Sequence, residues 1–323
     1  MRKYYKDTLT ALVCFFVVLI LNFLLPRLLP GDPIAYLTGF SEEEMTVKQI
    51  ENYRMALHLD DSIPVQFLHY LKSIADGRLG YSFKKEAYVI TLIGARLAST
   101  LQITLPAVII TSGLALLLGL RSGMKKGGLT DRMLTPSLVL LNTIPSFLIG
   151  IVLLIILAFR FRLFPYTGLS SAGIPKNSPA YFFDRIRHLF LPVMTLVLTQ
   201  LPSRYLLVRN LAATVSDSKY ILYAKTRGLG RRRVMFSHIL PNIAPPFINM
   251  VGLSVGSTIG GAMVIENLFS ISGMGTLLTD AVYSLDYPLI GGILFVTTAF
   301  MTLSVIAADG LCLLAAPNAR RKK

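Results

Sequence analysis

Three ionisable residues interrupt the apolar stretches of this sequence: Arg204, Glu266 and Asp309. A charged side chain is costly in such surroundings, so each of the three is a candidate for a functional role. Arg204 and Glu266 lie near the ends of their apolar runs, where a side chain can snorkel or face the interface. Asp309 lies deeper in its apolar run. A structural role, such as pairing with another helix, is at least as good an interpretation for Asp309 as contact with a substrate.

The sequence shows no pattern typical of a metal site, a nucleotide site or a nucleophile. It contains no HExxH and no CxxC arrangement, so we expect no catalytic residues and no metal bound by this chain alone. A G-x-x-x-x-G-K-[ST] phosphate loop is also missing, so nucleotide phosphates are not expected to bind here. The histidines and cysteines are scattered: His58, His69, His188, His238, Cys14 and Cys312. Both cysteines fall inside apolar runs, and we expect lipid-facing or core thiols.

The elements that carry these residues are apolar and long. Hydrophobic residues make up 53% of the chain, and charged residues only 15%, where a soluble domain has about a quarter. Six runs come close to the roughly 20 residues that span a bilayer: 9–29, 99–121, 135–159, 189–208, 246–266 and 289–316. The sequence therefore predicts an all-α, polytopic membrane protein with six transmembrane helices. No small-residue cleavage site follows the first run, so we interpret it as a retained helix rather than a signal peptide.

The basic residues predict the orientation of these helices. The formal net charge of +15 could suggest a nucleic-acid partner, but the charge is divided among separate segments, so none is expected. Lys and Arg accumulate in the N-terminal residues, in 122–134, in 209–245 and in the tail 317–323, which the positive-inside rule assigns to the cytoplasm. Segment 267–288 has neither Lys nor Arg, whereas 160–188 has five and fits less well. Both termini are therefore predicted to be cytoplasmic.

Residues 30–98 are predicted to form a small external helical subdomain between the first two spans. "SEEE" at 41–44 is typical of a capping box, with Ser41 as N-cap and Glu44 three residues later. Apolar residues then recur at helical spacing, first Val47, Ile50, Tyr53 and Leu57, and after Pro64 Val65, Leu68, Leu71 and Ile74. A loose amphipathic loop on the bilayer surface is the alternative.

The stretch "YAKTRGLGRRR", residues 223–233, carries five positive charges in eleven residues and two glycines. Ser216 or Ser218 can cap a helix, and Tyr220 to Arg227 can form two turns. Gly228 suits the left-handed position that follows a helix end. The pattern predicts a short helix and a turn that dock on a partner, and a solvated loop that merely satisfies the charge rule is the alternative.

This stretch resembles the cytoplasmic coupling motif, the EAA loop, of ATP-binding-cassette importer permeases. The version in the dipeptide, oligopeptide and nickel permease family runs roughly D-Y-x-R-T-A-R-A-K-G-L, and residues 219–229 align with it. Identical residues are Tyr220, Ala224, Gly228 and Leu229, and Lys225 and Arg227 keep the basic character. The chain departs from the pattern at Lys219, Leu222, Tyr223 and Thr226.

The resemblance covers nearly the whole chain through further motifs in the same order. They are "LPGDP" at 29–33, "GRLGYSF" at 77–83, the stretch 144–168, the stretch 260–282 and "DYPLIGG" at 286–292. Within 260–282 the family often has proline where this chain has Ser272. One such motif would be weak support, whereas six in order are strong.

The resemblance implies a fold like that of type I importer permeases and a transport subunit rather than an enzyme. It divides the chain into a first helix (1–29), the external subdomain (30–98), a five-helix core (99–316) with its coupling loop (209–245), and the basic tail (317–323). Implied partners are membrane lipid, a second permease, two ATPase subunits that bind ATP and Mg, and an external substrate-binding protein. The implied location is the plasma or inner membrane of a prokaryote, and the cargo stays open among dipeptides, oligopeptides, nickel and other metal chelates.

The resemblance also implies which residues couple the chain to its ATPase: Tyr220, Tyr223, Ala224, Lys225, Arg227, Gly228 and Leu229. The translocation pathway is expected along the fifth span, because its glycines allow a mobile helix to pack closely. The candidate pathway residues are Gly256, Gly260, Gly261, Glu266 and Asp309. A secondary transporter driven by an ion gradient is the alternative function, although it should show internal repeats and several charged sites within the membrane.

Overall fold

The computed structural model describes residues 2–28, 34, 45–56 and 58–315. Its elements are almost all helical. In chain order they are α1 (Arg2–Leu28), α2 (Val47–Ala56), α3 (Ile63–Ala75), β1 (Tyr81–Ser82), β2 (Ala87–Tyr88), α4 (Val89–Gly123), α5 (Leu129–Thr143), α6 (Ser146–Leu153), α7 (Pro179–Ser216), α8 (Lys219–Thr226), α9 (Arg231–Val234), α10 (Leu240–Gly256), α11 (Thr258–Gly261), α12 (Met263–Leu268), α13 (Met274–Tyr283) and α14 (Tyr287–Ala315).

Several sequence predictions fall outside the described residues. They are the "LPGDP" motif at 29–33, the capping box from Ser41 to Glu44, the apolar position Leu57, and the basic tail at 317–323. The helices predicted from the spacing within 47–75 are present as α2 and α3.

Within the described residues, four helices are long and apolar enough to cross a membrane by length and composition. They are α4, α7, the helical stretch Arg231–Gly256 and α14. The pair α5 and α6, with its π-helical continuation to Arg160, would add a fifth span if it is counted as one. The apolar part of α1, Leu9–Leu24, is shorter than the usual spanning length. The all-α, multi-pass architecture is confirmed, whereas the predicted count of six spans is not reproduced in the described residues.

The predicted third span, 135–159, is bent by 101° instead of continuous. The bend lies at Ile144 and Pro145, both of which have extended backbone angles, with ψ of 125° and 140°. The proline ring excludes the α conformation from the residue before it, so the helix ends at Thr143 and a new one begins at Ser146. After Leu153 the second helix widens into a π-helix, Leu154–Arg160.

The predicted fifth span, 246–266, is also broken, which corrects the expectation of one continuous helix. Helix α10 ends at Gly256, and short helices α11 and α12 follow after Ser257 and Ala262. Glycine has a low helix propensity because its unfolded backbone is so free, and three glycines fall within Gly256–Gly261. The helix is therefore interrupted in the segment where the helix propensity is lowest.

The chain forms two compact units, and the first combines the described residues up to Thr100 with Ser272–Thr302. Strands β1 and β2 form a small antiparallel hairpin, which pairs Tyr81 with Tyr88. Two of the sequence motifs meet here, because the buried Ser82 hydroxyl of "GRLGYSF" donates to the buried Asp286 carboxylate of "DYPLIGG". The Met274 amide, at the start of α13, donates to Thr100 Oγ1 at 2.8 Å.

The second unit combines Leu101–Ile271 with the described residues from Leu303. Its axis is α7, whose 38 residues extend roughly 57 Å, longer than the roughly 30 Å of a bilayer's hydrocarbon core. The middle of α7 packs into one apolar cluster with α12, through Leu191, Leu196 and Ile265. The end of α7 packs into another, which holds Val208, Ala212 and residues of α8. One helix thus connects a membrane-spanning core to a surface element.

Candidate functional site: a docking helix and a polar cavity

Helix α8 is a short surface helix that is fixed to the second unit through one face. Ile221 is fully buried and Ala224 nearly so, in an apolar cluster that includes Leu120 of α4, Val208 of α7 and Ile239. Ser218 occupies the N-cap position, but its hydroxyl donates to the Val215 carbonyl at 2.5 Å instead of capping an amide. Packing, rather than a side-chain cap, therefore holds the beginning of α8.

The end of α8 is closed by a complete Schellman motif. Gly228 has φ of +77°, and its amide donates to the Lys225 carbonyl at 3.0 Å. The Leu229 amide donates to the Ala224 carbonyl at 3.2 Å, and both side chains pack in the same apolar cluster. This pair of bonds satisfies carbonyls that a helix end would otherwise leave open. The predicted role of Gly228 as the left-handed residue after the helix is confirmed.

The opposite face of α8 exposes apolar and basic side chains. Tyr220, Leu222 and Tyr223 are 47%, 62% and 70% exposed. Lys225 and Arg227 are exposed beside them. Large apolar side chains grouped on a surface and rimmed by charge are typical of a protein contact. Of the predicted coupling residues, Ala224 and Leu229 therefore anchor the helix, whereas Tyr220, Tyr223, Lys225 and Arg227 are available to a partner.

Leu222 belongs to this face although the sequence analysis treated it only as a departure from the family pattern. Helical spacing could have identified it, because Leu222 lies on the side of α8 away from Ile221 and Ala224 and therefore cannot pack with them. The exposed apolar residues of α8 are thus Tyr220, Leu222 and Tyr223, which we call the α8 outer face.

An ion pair joins α5 to the end of α7, directly before α8. Arg209 near the end of α7 donates to both carboxylate oxygens of Asp131 at the start of α5, at 2.9 Å and 2.8 Å. The Gly127 amide and the Thr135 hydroxyl donate to the same carboxylate. Asp131 is almost fully buried, and its two parallel hydrogen bonds from Arg209 form a bidentate pair, which fixes the relative orientation of the two groups. Sequence reasoning missed this pair, because it counted the 122–134 segment only for its positive charge.

A more exposed ion pair lies nearby. Lys126 Nζ is 2.5 Å from Asp217 Oδ2, and both side chains are about half exposed or more. Exposed pairs of this kind contribute little to stability, so it serves below as a comparison for the buried one.

A cavity of about 490 Å³ lies within the second unit and is bordered by α4, α7 and the broken helix α10–α11. Its lining includes the polar residues Thr104, Gln200, Ser203, Arg204, Ser254, Ser257 and Thr258. The break at Ser257 therefore coincides with the cavity wall. The hydroxyl groups and the guanidinium of this lining offer hydrogen-bond partners to a polar solute.

Arg204 lies far from either end of α7. Only 5% of its surface is exposed, and its guanidinium donates to Gln200 Oε1 at 2.6 Å and to the Val108 carbonyl at 3.4 Å. Helix α7 continues well past the predicted span boundary at 208. The Arg204 side chain lines the cavity.

The predicted pathway residues are dispersed rather than gathered in this cavity. Glu266 is fully buried in α12, and Asp309 is half-buried in α14, and the cavity lining in the described chain includes neither. Gly256 is buried at the end of α10, whereas Gly260 is exposed. Gly261 ends α11. A close approach of two helices is present at Gly252, where a β-carbon would collide with that of Ala308 on α14.

Comparison with protein families finds two matches that together cover most of the chain. Residues 115–321 match the family described as binding-protein-dependent transport system inner membrane component. Residues 1–104 match the N-terminal part described for membrane components of the same transport systems.

Individual relatives match over almost their full length. A probable peptide ABC transporter permease of Sinorhizobium fredii is 29% identical over 89% of each chain. An oligopeptide transport system permease of Bacillus subtilis is 29% identical over 97% of each chain. A nickel import system permease of Staphylococcus aureus is 30% identical over 96% of this chain and 89% of its own length.

Proposed function

The chain belongs to the family of binding-protein-dependent transport system inner membrane components, and from that premise we propose how its two sites serve an ATP-driven importer. It is the multi-pass, membrane-spanning permease subunit of such an importer, a transport component. Membership implies ABC transporter partners, among them a substrate-binding protein and ATPases. Nothing in the family match or the relatives favours a transporter driven by an ion gradient.

The α8 outer face seats in a cleft of the ATPase subunit and transmits its closure to the membrane helices. The observation that carries this proposal is the division of α8 into two faces. Ile221 and Ala224 are locked into the core, whereas Leu222 and Tyr223 are exposed at 62% and 70%. A helix anchored in this way moves as a rigid body with α7, which a mechanical coupling requires.

The wider assembly follows from this coupling. One copy of this chain and a second, similar permease together contact two ATPase subunits, which bind ATP and Mg, while this chain itself binds no nucleotide. Helix α8 and both termini face the cytoplasm of a prokaryotic cell, and residues 30–98, 160–188 and 267–288 face outward to the substrate-binding protein. The basic charge of segment 209–245 supports this orientation.

The polar cavity forms part of the translocation pathway, and its cargo is a small solute that carries a carboxylate. Peptides and many metal chelates share this group, and relatives are named for peptide, oligopeptide and nickel transport. A buried guanidinium with free donors binds a carboxylate well, which assigns Arg204 to cargo passage. A volume of about 490 Å³ suits a dipeptide or a small chelate better than a long peptide.

The docking proposal is tested by purifying the tagged chain in mild detergent with its partners and identifying them by mass spectrometry. A P-loop ATPase and a second permease should co-purify with the unaltered chain. With the double variant Leu222→Ala and Tyr223→Ala, the amount of co-purifying ATPase should fall at least about tenfold, because buried aromatic anchors dominate such contacts. Gly228→Ala should weaken retention as well, because alanine is strained at φ of +77°.

Two matched controls separate docking from general damage. Tyr283→Ala removes a tyrosine of α13 that is even more exposed than Tyr223, and Gly230→Ala alters a glycine with φ of −61° and no atom within 4 Å of an added β-carbon. Both should keep the ATPase. Undiminished ATPase on the double variant, or a chain that purifies without any ATPase, contradicts the proposed docking role.

A further inference from the structure

Three potential metal ligands converge in the first unit, outside every site described above. His58 and Asp61 lie in the turn between α2 and α3, and His69 lies on α3. One ligand atom from each side chain lies within 4.8 Å of the others, and Asp61 Oδ2 is 3.3 Å from His58 Nδ1. Two imidazole nitrogens and a carboxylate oxygen are thus gathered at one point.

We propose that His58, Asp61 and His69 bind a divalent first-row transition-metal ion of the nickel, copper and zinc group. Imidazole suits these borderline ions, and two histidines with one carboxylate form a common three-ligand set. Solvent water would complete the coordination, because all three side chains are exposed. No metal was expected from the sequence, because the spacing H-x2-D-x7-H matches neither HExxH nor CxxC.

The turn that carries two of the ligands is held against α3 by a buried amide. Gln66 is only 6% exposed, and its Nε2 donates to the carbonyls of Leu59 and Asp61 at 3.2 Å and 2.9 Å. Its Oε1 accepts from Arg27 Nε at 2.8 Å. Gln66 is three residues from His69 on the same helix, so the amide fixes the turn relative to the third ligand.

The backbone at His58 supports a specific role for its side chain. The His58 amide donates to the Met55 carbonyl and the Leu59 amide to the Arg54 carbonyl, which is the Schellman pattern at the end of α2. His58 has φ of +55° in the position where glycine is usual. A residue with a β-carbon is disfavoured in this left-handed conformation, so the backbone alone does not account for a histidine at position 58.

The two imidazole rings already lie against each other. Their centroids are 4.0 Å apart and their planes differ by 6°. Because the lone pair of an imidazole nitrogen lies in the plane of its ring, two stacked parallel rings cannot both direct a nitrogen at one ion, and metal binding requires the rings to rotate. His58 is about half exposed, and the rotation therefore disturbs no packed core.

An approach route for the ion is present in the same unit. His58 and His69 line a cavity of about 670 Å³, together with Gln66, Tyr70 and Asp76. The adjacent Asp60 adds negative charge near the site, although it also lies 3.7 Å from Arg54. The cavity is large enough for a hydrated ion or a small chelate to reach the two rings.

The test is a metal titration of the purified full-length chain, carrying a tag free of histidine, in competition with a chromophoric indicator. We expect one Ni²⁺ or Zn²⁺ per chain with a dissociation constant of about 10 µM or tighter. His58→Ala and His69→Ala should each weaken binding at least about tenfold, and millimolar Mg²⁺ should not compete, because it prefers oxygen ligands. Cu²⁺ bound to the chain should show electron paramagnetic couplings to nitrogen that His69→Ala reduces.

Matched variants keep the test decisive. Asp61→Asn should weaken binding, whereas Asp60→Asn, one residue earlier, and His238→Ala, in the second unit, should not. Gln66→Ala should weaken binding while the nitrogen couplings remain, as expected of a positioning residue. Gel filtration confirms that each variant is folded. Binding with no saturation at one ion per chain, or binding unchanged in His69→Ala and Asp61→Asn, overturns the proposal. The titration uses the isolated chain, so its result is independent of ATPase docking.

Discussion

At the scale of single residues, the environment of a side chain decided its role more than its type did. Arg204 and Arg185 are both arginines on α7, and each donates to a glutamine, Gln200 and Gln102 respectively. Only Arg204 is buried at a cavity wall, however, whereas Arg185 also bonds the Tyr181 hydroxyl at 2.7 Å and does not line the cavity. This contrast provides a matched test of the cargo proposal.

Arg204→Gln should abolish a preference for free carboxylates in transport. In proteoliposomes that contain the complete importer, uptake of a labelled dipeptide should exceed uptake of its C-terminal amide by about tenfold, because a charge-assisted pair is lost with the amide. The variant should transport the dipeptide and its amide at similar, low rates. Arg204→Lys should retain part of the preference, since it keeps the charge without the planar donor geometry.

Arg185→Gln serves as the comparison for this prediction and should leave the preference intact. ATPase activity stimulated by the substrate-binding protein reports whether each variant complex is still assembled. Equal uptake of acid and amide by the unaltered importer, or an unchanged preference in Arg204→Gln, would assign Arg204 a structural role only.

At the scale of elements, specific ion pairs position the helices in addition to apolar packing. The buried pair of Asp131 and Arg209 joins the start of α5 to the end of α7 directly before the α8 element. Asp131→Asn leaves the Arg209 guanidinium without its countercharge and should lower the free energy of unfolding by about 2–4 kcal/mol. Thermal unfolding of the purified chain in detergent measures the loss.

The exposed pair of Lys126 and Asp217 is the control for this prediction. Asp217→Asn should change the free energy of unfolding by less than about 0.5 kcal/mol, because solvent already screens that pair. Adding Arg209→Met to Asp131→Asn should recover much of the loss, since it removes the unpaired, partly buried charge. Equal effects of the two aspartate variants would show that burial of the pair is unimportant.

At the scale of the whole molecule, the orientation in the membrane is the prediction with the widest consequences. Two exposed polar positions of the second unit, Asn177 in the loop before α7 and Thr226 at the end of α8, are predicted to lie on opposite sides. Asn177→Cys and Thr226→Cys are each introduced into a chain whose native cysteines have been replaced. A maleimide that cannot cross membranes should label Asn177→Cys in intact spheroplasts.

Thr226→Cys should react only after the spheroplasts are permeabilised, because α8 is proposed to face the cytoplasm. A cytoplasmic protein that stays unlabelled shows that the cells are sealed. Labelling of Thr226→Cys in sealed spheroplasts would reverse the orientation and would remove α8 from the reach of a cytoplasmic ATPase.

The sequence by itself determined the class of the protein and the nature of its surface helix. Apolar runs of about 20 residues leave few alternatives to membrane-spanning helices, because only internally hydrogen-bonded backbone is stable in lipid. Gly228 could be assigned from sequence as well, since a helix end needs a left-handed residue and glycine adopts that conformation without strain. The family resemblance rested on local motifs of this kind.

Only the tertiary structure decided which residues meet. The Asp131–Arg209 pair joins residues 78 positions apart, and the cavity collects groups from α4, α7 and α10–α11, which no periodicity connects. The breaks at Pro145 and Ser257 ended helices that hydropathy alone extends, because hydropathy averages over the residue types that end them. His58, Asp61 and His69 converge through a turn held by Gln66. Local patterns set the elements, whereas long-range packing created the sites.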